Sequence, residues 1–231
     1  MNIVILHGIQ GARDAQGVAV VIDVFRAFTT ACHAIAAGAC PLLPADSLDQ
    51  ALAIKQTFPD AVLAGERFAK PLPGCDFGNS PALLEKDRHL LGGRPFIQAT
   101  HAGTRGLLAA TAADVVLAAS LVNARATAEY IRQLNPSCVS LVPMGWAGED
   151  EAEEDSACAE YIRALLQGSA YDTSRLAESL RNAAAAEKFF APDQPWAPEQ
   201  DFTLCLDVDR FPFALRLVPG PPAILSPVVV G

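Results

Sequence analysis

Five short runs of β-branched and apolar residues, at 18–24, 61–64, 95–99, 115–119 and 139–143, are separated by alanine-rich stretches with helical spacing. Strands that alternate with helices are joined by crossovers rather than hairpins, which brings them side by side in one sheet with helices on its faces. The expected fold class is therefore α/β: three α/β/α layers around a largely parallel or mixed sheet. With 231 residues, 51% of them hydrophobic, the chain can bury one substantial core, so a single domain over 1–231 is expected.

Residue types at the run boundaries locate the helices. Starts are expected near Arg26, Ser47, Ser80, Gly103, Asn123, Glu153 and Thr173, several at side chains that accept an N–H bond from a first helical turn. Ser47 with Gln50 fits a capping box, and Ser80-Pro81 fits an N-cap followed by proline at N1. Gly38 and Gly168 are expected to stop two helices. The proline-containing stretch 190–198 reads as a loop, after which apolar runs from Phe202 onward return to the sheet. Gly8-Ile9-Gln10-Gly11 reads as a flexible glycine loop. The units 20–43 and 96–119 share a faint plan of strand, Thr/Arg turn, alanine-rich helix and strand.

Charge and cysteine usage exclude several classes. A formal net charge of −9 without any Lys/Arg run argues against a nucleic-acid surface. No apolar stretch approaches the roughly 20 residues of a membrane span, and no basic-flanked leader opens the chain, so a cytoplasmic protein without a membrane partner is expected. The six cysteines form no C-x-x-C pair and read as reduced, mostly core thiols. An acidic protein can still bind an anion, provided that arginines, helix N-termini or a cation do so locally.

The familiar phosphate and nucleotide motifs are missing: no G-x-G-x-x-G after a strand, no P-loop, no G-x-S-x-G elbow, and no cysteine followed six positions on by arginine. Asp207-Val208-Asp209 lies far from the N-terminal strand where a paired-aspartate phosphatase would carry it, and reads as a solvated loop or helix end. What remains is four polar clusters at strand ends, where open α/β sheets place their ligands. Asp23 to Thr30 offers Asp23 for a hard cation and Arg26, although a helix cap and an ordinary ion pair would look the same. Gly65-Glu66-Arg67 leads into a long turn-rich loop ending Asn79-Ser80-Pro81, an anion cradle or a plain cap. Thr100 to Gly106 presents Gly103, Thr104 and Arg105, with His101 as a lone histidine more often packed than catalytic. Glu154 and Asp155 open a helix beneath a glycine turn, where carboxylates either meet the helix dipole or hold Mg2+.

In order along the chain, Asp23-Val-Phe-Arg26-Ala-Phe-Thr-Thr30, Gly65-Glu-Arg67, Asp76-Phe-Gly-Asn-Ser-Pro81, Thr100 with Gly103-Thr-Arg105, Ser120 to Asn123 and Glu154-Asp155 resemble the 2-phosphosulfolactate phosphatase (ComB) family. The resemblance spans about two-thirds of the chain. It implies an α/β fold, Mg2+ dependence and hydrolysis of (R)-2-phospho-3-sulfolactate, a step toward coenzyme M. Carried onto this chain, it implies a small phosphorylated, carboxylated or sulfonated substrate, with a homodimer as one assembly open to the domain. Asp23, Arg26 and Glu66 would be catalytic, and Arg67, Asn79, Ser80, Thr100, Gly103, Thr104, Arg105 and Asn123 would bind substrate. Asp23, Glu66, Glu154 and Asp155 would hold the metal. Two departures bear on the substrate: Ala102 stands where the family has asparagine, and Phe68-Ala69 where glycines commonly follow Gly-Glu-Arg. A different phosphorylated carboxylic acid, a non-catalytic anion-binding homologue and a nucleotide-dependent enzyme are the alternatives.

Overall fold

A computed structural model describes residues 1–230. Its ten-stranded sheet runs β1 (Asn2–Ile5), β8 (Cys138–Pro143), β2 (Val18–Ile22), β7 (Val115–Ala119), β9 (Phe213–Val218), β10 (Ile224–Val229), β3 (Leu42–Ala45), β6 (Phe96–Ala99), β4 (Val62–Arg67) and β5 (Lys70–Pro71) from edge to edge. β1, β8, β2 and β7 form one parallel block, and β3, β6 and β4 another. Between them lies the antiparallel hairpin β9–β10, the returning tail expected from the apolar C-terminal runs.

β2 shows why the first block is central. All five of its residues are buried, as a parallel strand covered on both faces requires. Ala19 and Val21 join one core with α1 (Gly8–Asp14), α2 (Ala27–Ala36) and α5 (Gly103–Ala109). Val18, Val20 and Ile22 join the opposite core with α6 (Ala124–Leu134), α7 (Glu153–Gln167), α8 (Leu176–Leu180), α9 (Glu187–Phe190) and α10 (Glu199–Cys205). α3 (Leu48–Thr57) covers the second block, and α4 (Pro81–Lys86) lies against α2 and α10.

Counted through the antiparallel pairs, the second block runs opposite to the first. Residues following β2 and β8 nevertheless share one cavity with residues of β4 and the loop after β6. The sheet is therefore curled rather than flat. The joint is lean: β10 meets β3 through the single pair Leu225 and Leu42. The two units of similar plan become β2–α2–β3 and β6–α5–β7, with β2 beside β7 and β3 beside β6.

Most helix starts fall where their capping residues stand, with Ser47 and Ser80 accepting N–H bonds from Gln50 and Leu83. The helix expected near Thr173 begins at Leu176, after a turn in which the Thr173 carbonyl accepts the Leu176 N–H. The reading of residues 8–11 as a flexible loop is corrected: they form the first turn of α1. Glycine serves close approach there. A Cβ on Gly8 would lie 2.4 Å from the Gly148 carbonyl oxygen, and Gly8 itself takes φ +64°. Of the cysteines, Cys32, Cys158 and Cys205 are buried, while Cys40 is exposed and Cys75 and Cys138 are half-buried. No helix among the described residues is long and apolar enough to cross a membrane.

Gly8→Ala is expected to cost about 1–3 kcal/mol, because it combines a left-handed backbone with a steric clash. Urea denaturation checks this; a flexible loop would tolerate the change.

Candidate active site

The strand-end turns converge on a cavity walled by Asp23, Arg26, Glu66, Asn79, Glu154 and Asp155, all buried. Each is fixed by its local fold. Asp23 follows β2, and its Oδ1 accepts the Ala27 N–H at 2.9 Å, capping the entry to α2. Gly103 opens α5 directly against it: a Cβ there would stand 2.7 Å from Asp23 Oδ2. Asp155 Oδ1 accepts the Val24 N–H at 2.7 Å and Oδ2 the Gly145 N–H at 2.8 Å, stitching the turn after β2 to the turn after β8. Glu66 does the same for the second block, accepting the Ala69 N–H and the His101 N–H, both at 2.8 Å.

Arg26 is the largest of the fully buried side chains. Its Nη1 donates to Asp201 Oδ2 at 2.6 Å and to the Trp196 carbonyl at 2.8 Å, and Nη2 donates to the Ala69 carbonyl at 3.2 Å. Asp201 also accepts the Ser80 hydroxyl and the Ala82 N–H. The guanidinium thus faces the cavity from a fixed seat.

The other residues singled out from sequence stand elsewhere. Ser80 caps α4 and donates to Asp201. Thr100 and Thr104 bond each other's backbone N–H groups through their hydroxyls, and Asn123 closes a capping box with Ser120. These side chains are engaged in backbone turns and do not line the cavity. Arg67 is exposed, and Arg105 donates to the His101 carbonyl at 3.2 Å. Burial lowers the His101 pKa; Glu66 and Glu149 oppose that shift while Arg67 and Arg105 add to it, so charges of both signs surround this imidazole at the cavity wall.

Sequence reasoning missed Lys188 and Asp201. Lys188 is buried in α9, donates to the Phe25 carbonyl at 3.0 Å and reaches into the carboxylate cluster. Its only sequence signal is a lone cation between Ala183–Ala186 and Phe189-Phe190.

Electrostatics dominate the cavity. Four carboxylates face two cations, Arg26 and Lys188. Burial, with Glu66 nearby, pushes Asp23 up to about 6. Burial likewise pushes Glu154 up to about 7, although Lys188 opposes the shift. Asp155 is raised well above the usual range by burial, Glu154 and Asp23. Glu154 Oε2 is buried with no hydrogen-bond partner. Among the described residues no three acidic, histidine or cysteine side chains converge closely enough to form a ready metal cage. The donor chemistry fits a less demanding site. Mg2+ takes one or two carboxylates and completes its shell with water and substrate oxygens. Asp23 and the unpartnered Glu154 suit that role, while Glu66 and Asp155 each have both oxygens bonded to backbone N–H groups.

A family model described as 2-phosphosulpholactate phosphatase matches residues 4–217. A probable 2-phosphosulfolactate phosphatase of Bacillus subtilis strain 168 is 33% identical over 208 residues, covering 89% of each chain. Proteins of the same description from Carboxydothermus hydrogenoformans and Deinococcus radiodurans are 38% and 39% identical, over 72% and 71% of this chain and 68% and 69% of theirs.

Two measurements test this geometry. Asp201→Asn would leave Arg26 buried without its counter-charge and is expected to cost about 3–5 kcal/mol, whereas the double change Arg26→Met with Asp201→Leu costs much less. The raised Glu154 pKa sets a pH dependence. Its folded value lies above the usual 4.5, so the protonated form stabilises the fold below that pH, and this contribution is lost as pH rises through about 7. In chelator-treated protein, Glu154→Gln is expected to gain on wild type by on the order of 2 kcal/mol between about pH 5 and about pH 8, read from urea denaturation.

Proposed function

The chain belongs to the 2-phosphosulfolactate phosphatase family, a family of phosphoric monoester hydrolases, and from that premise we propose that its substrate is (R)-2-phospho-3-sulfolactate. Phosphate and 3-sulfolactate are then the products, a step toward coenzyme M, with Mg2+ as cofactor. The observation that carries the reading is the imbalance of four carboxylates against two cations in a buried cavity. A polyanionic ester can enter such a space only together with a further cation.

Asp23 and Glu154 would hold that cation. Bound there, it would neutralise phosphoryl oxygens and polarise the phosphorus for attack. The chain's own residues do the rest. The Lys188 ammonium, fixed by the Phe25 carbonyl, faces the same space and offers a charge to the phosphoryl group. Asn79 adds an amide to the cavity wall. Glu66 and Asp155 hold the four surrounding turns, so the donors are oriented before substrate arrives. Arg67 and Arg105, near His101 but outside the cavity lining, would take the distal sulfonate and carboxylate in this reading. Ala102 lines the cavity with a methyl group where the family has an asparagine side chain.

Phosphate release from 2-phosphosulfolactate, 2-phospholactate and 3-phosphoglycerate is the deciding assay. The sulfonated ester is expected to give the highest kcat/KM, EDTA to abolish turnover and Mg2+ to restore it. Full turnover in EDTA would remove the metal from the reading, and sulfolactate binding without phosphate release would turn it toward a non-catalytic homologue. Lys188→Met is expected to lower kcat/KM on the order of 100-fold through loss of a preorganised charge; because it also leaves Asp23 and Glu154 with less countercharge, its melting temperature is expected to fall, and kcat/KM is read well below that temperature.

A further inference from the structure

The catalytic cavity is small, about 50 Å3, room for a few waters or one phosphoryl group. It opens into an outer chamber of about 600 Å3, and Phe68, Ala69, Trp146 and Lys188 belong to the walls of both. A phosphate ester whose alcohol is too bulky for the inner cavity extends that alcohol into this chamber, which is far larger than a three-carbon acid fills.

The chamber's chemistry is also unlike that acid's. Asp150, Glu151, Glu153 and Glu187 line it together with Lys70 and Lys188, an excess of acidic over basic groups, so its rim repels additional negative charge. Ala183, Ala184 and Ala185 supply apolar wall. Two aromatic faces stand open at the mouth, Phe68 at 56% and Trp146 at 42% exposure. Their ring centroids are 6.5 Å apart, and Phe68 meets His101 edge-on at 4.3 Å.

Phe68 holds this position with φ +51°, a left-handed backbone that bulky side chains avoid. The hairpin tip is fixed beside it: Ala69, also left-handed at φ +63°, donates to Glu66 and accepts from Arg26. The ring is therefore presented at the junction of the two spaces by a rigid turn.

We propose that the outer chamber is a leaving-group site for aromatic alcohols without added negative charge, and that the enzyme also hydrolyses their phosphate monoesters. The proposal rests on the reading of the inner cavity as a phosphomonoesterase centre. Water oxygen bonds to phosphorus, the bond from phosphorus to the aryl oxygen breaks, and the phenolate takes the proton that water gives up. The departing ring packs against Phe68 and Trp146 in offset or edge-to-face contact.

The test compares kcat/KM for phenyl phosphate, 4-carboxyphenyl phosphate and 2-phosphosulfolactate with Mg2+, in wild type, Phe68→Gly and Trp146→Ala. Phenyl phosphate is expected to exceed 4-carboxyphenyl phosphate by about tenfold or more, against the intrinsic order, because the carboxylated phenol is the better leaving group. In either variant the ratio of phenyl phosphate to 2-phosphosulfolactate is expected to fall by about tenfold. Phe68→Gly suits the left-handed backbone, so its melting temperature is expected to equal or exceed the wild type. Turnover of 2-phosphosulfolactate with no turnover of phenyl phosphate, or with ratios unchanged in both variants, overturns the proposal and leaves the phosphatase reading intact. Turnover of none of the three esters overturns both.

Discussion

Arg26 and Asp201 lie 175 residues apart and meet at 2.6 Å with both side chains almost wholly removed from water. Desolvating two charges costs several kcal/mol per ion, and attraction between them offsets that only when the remaining donors and acceptors are also satisfied. Here the guanidinium reaches the Trp196 and Ala69 carbonyls, and the carboxylate receives Ser80 and Ala82 as well. The pair therefore fastens four segments: the turn after β2, the β4–β5 hairpin tip, the start of α4, and the C-terminal stretch around α10. Lys188 enters the cavity from that same C-terminal part of the chain. The cavity walls depend on this knot more than on any continuous element.

Within those walls the carboxylates work against the fold. After burial has raised all three, Glu66 pushes Asp23 further up, Asp23 pushes up Glu154, and Glu154 and Asp23 push up Asp155. Such a cluster is a local reservoir of unfavourable electrostatics, of the kind concentrated at functional sites. A divalent cation bound there would relieve it, and a polyanionic ester would supply further oxygen ligands to that cation. The unpartnered oxygen of Glu154 marks where that relief is most needed.

The hairpin tip adds a second constraint. Phe68 and Ala69 both hold a left-handed backbone, and Ala69 is tied down by donating its N–H to Glu66 and accepting from Arg26. The Glu66 carboxylate and the Arg26 guanidinium thus set the shape of the cavity's mouth as well as its floor. Access to the cavity and its electrostatics are coupled through these two side chains.

Local sequence determined much of this protein. Apolar runs in alternation with alanine-rich stretches specified strands and helices, because burial on two faces and helical periodicity leave few other arrangements. Strand-end position also marked Asp23, Glu66, Glu154 and Asp155, since the edges of an α/β sheet are where polar side chains escape the core. Ser80, Thr104 and Asn123 share those strand-end positions, but their side chains are already engaged in local hydrogen bonds, which only the folded structure reveals. Lys188 and Asp201 carried no motif, because their importance comes from partners more than 100 residues away. The helix at Gly8 stayed hidden because Gly8 answers the distant Gly148 carbonyl rather than any local preference. The curl that brings two opposed strand blocks to one cavity was likewise decided by tertiary structure. It depends on a C-terminal hairpin inserted between the blocks, a pairing that no local propensity can encode.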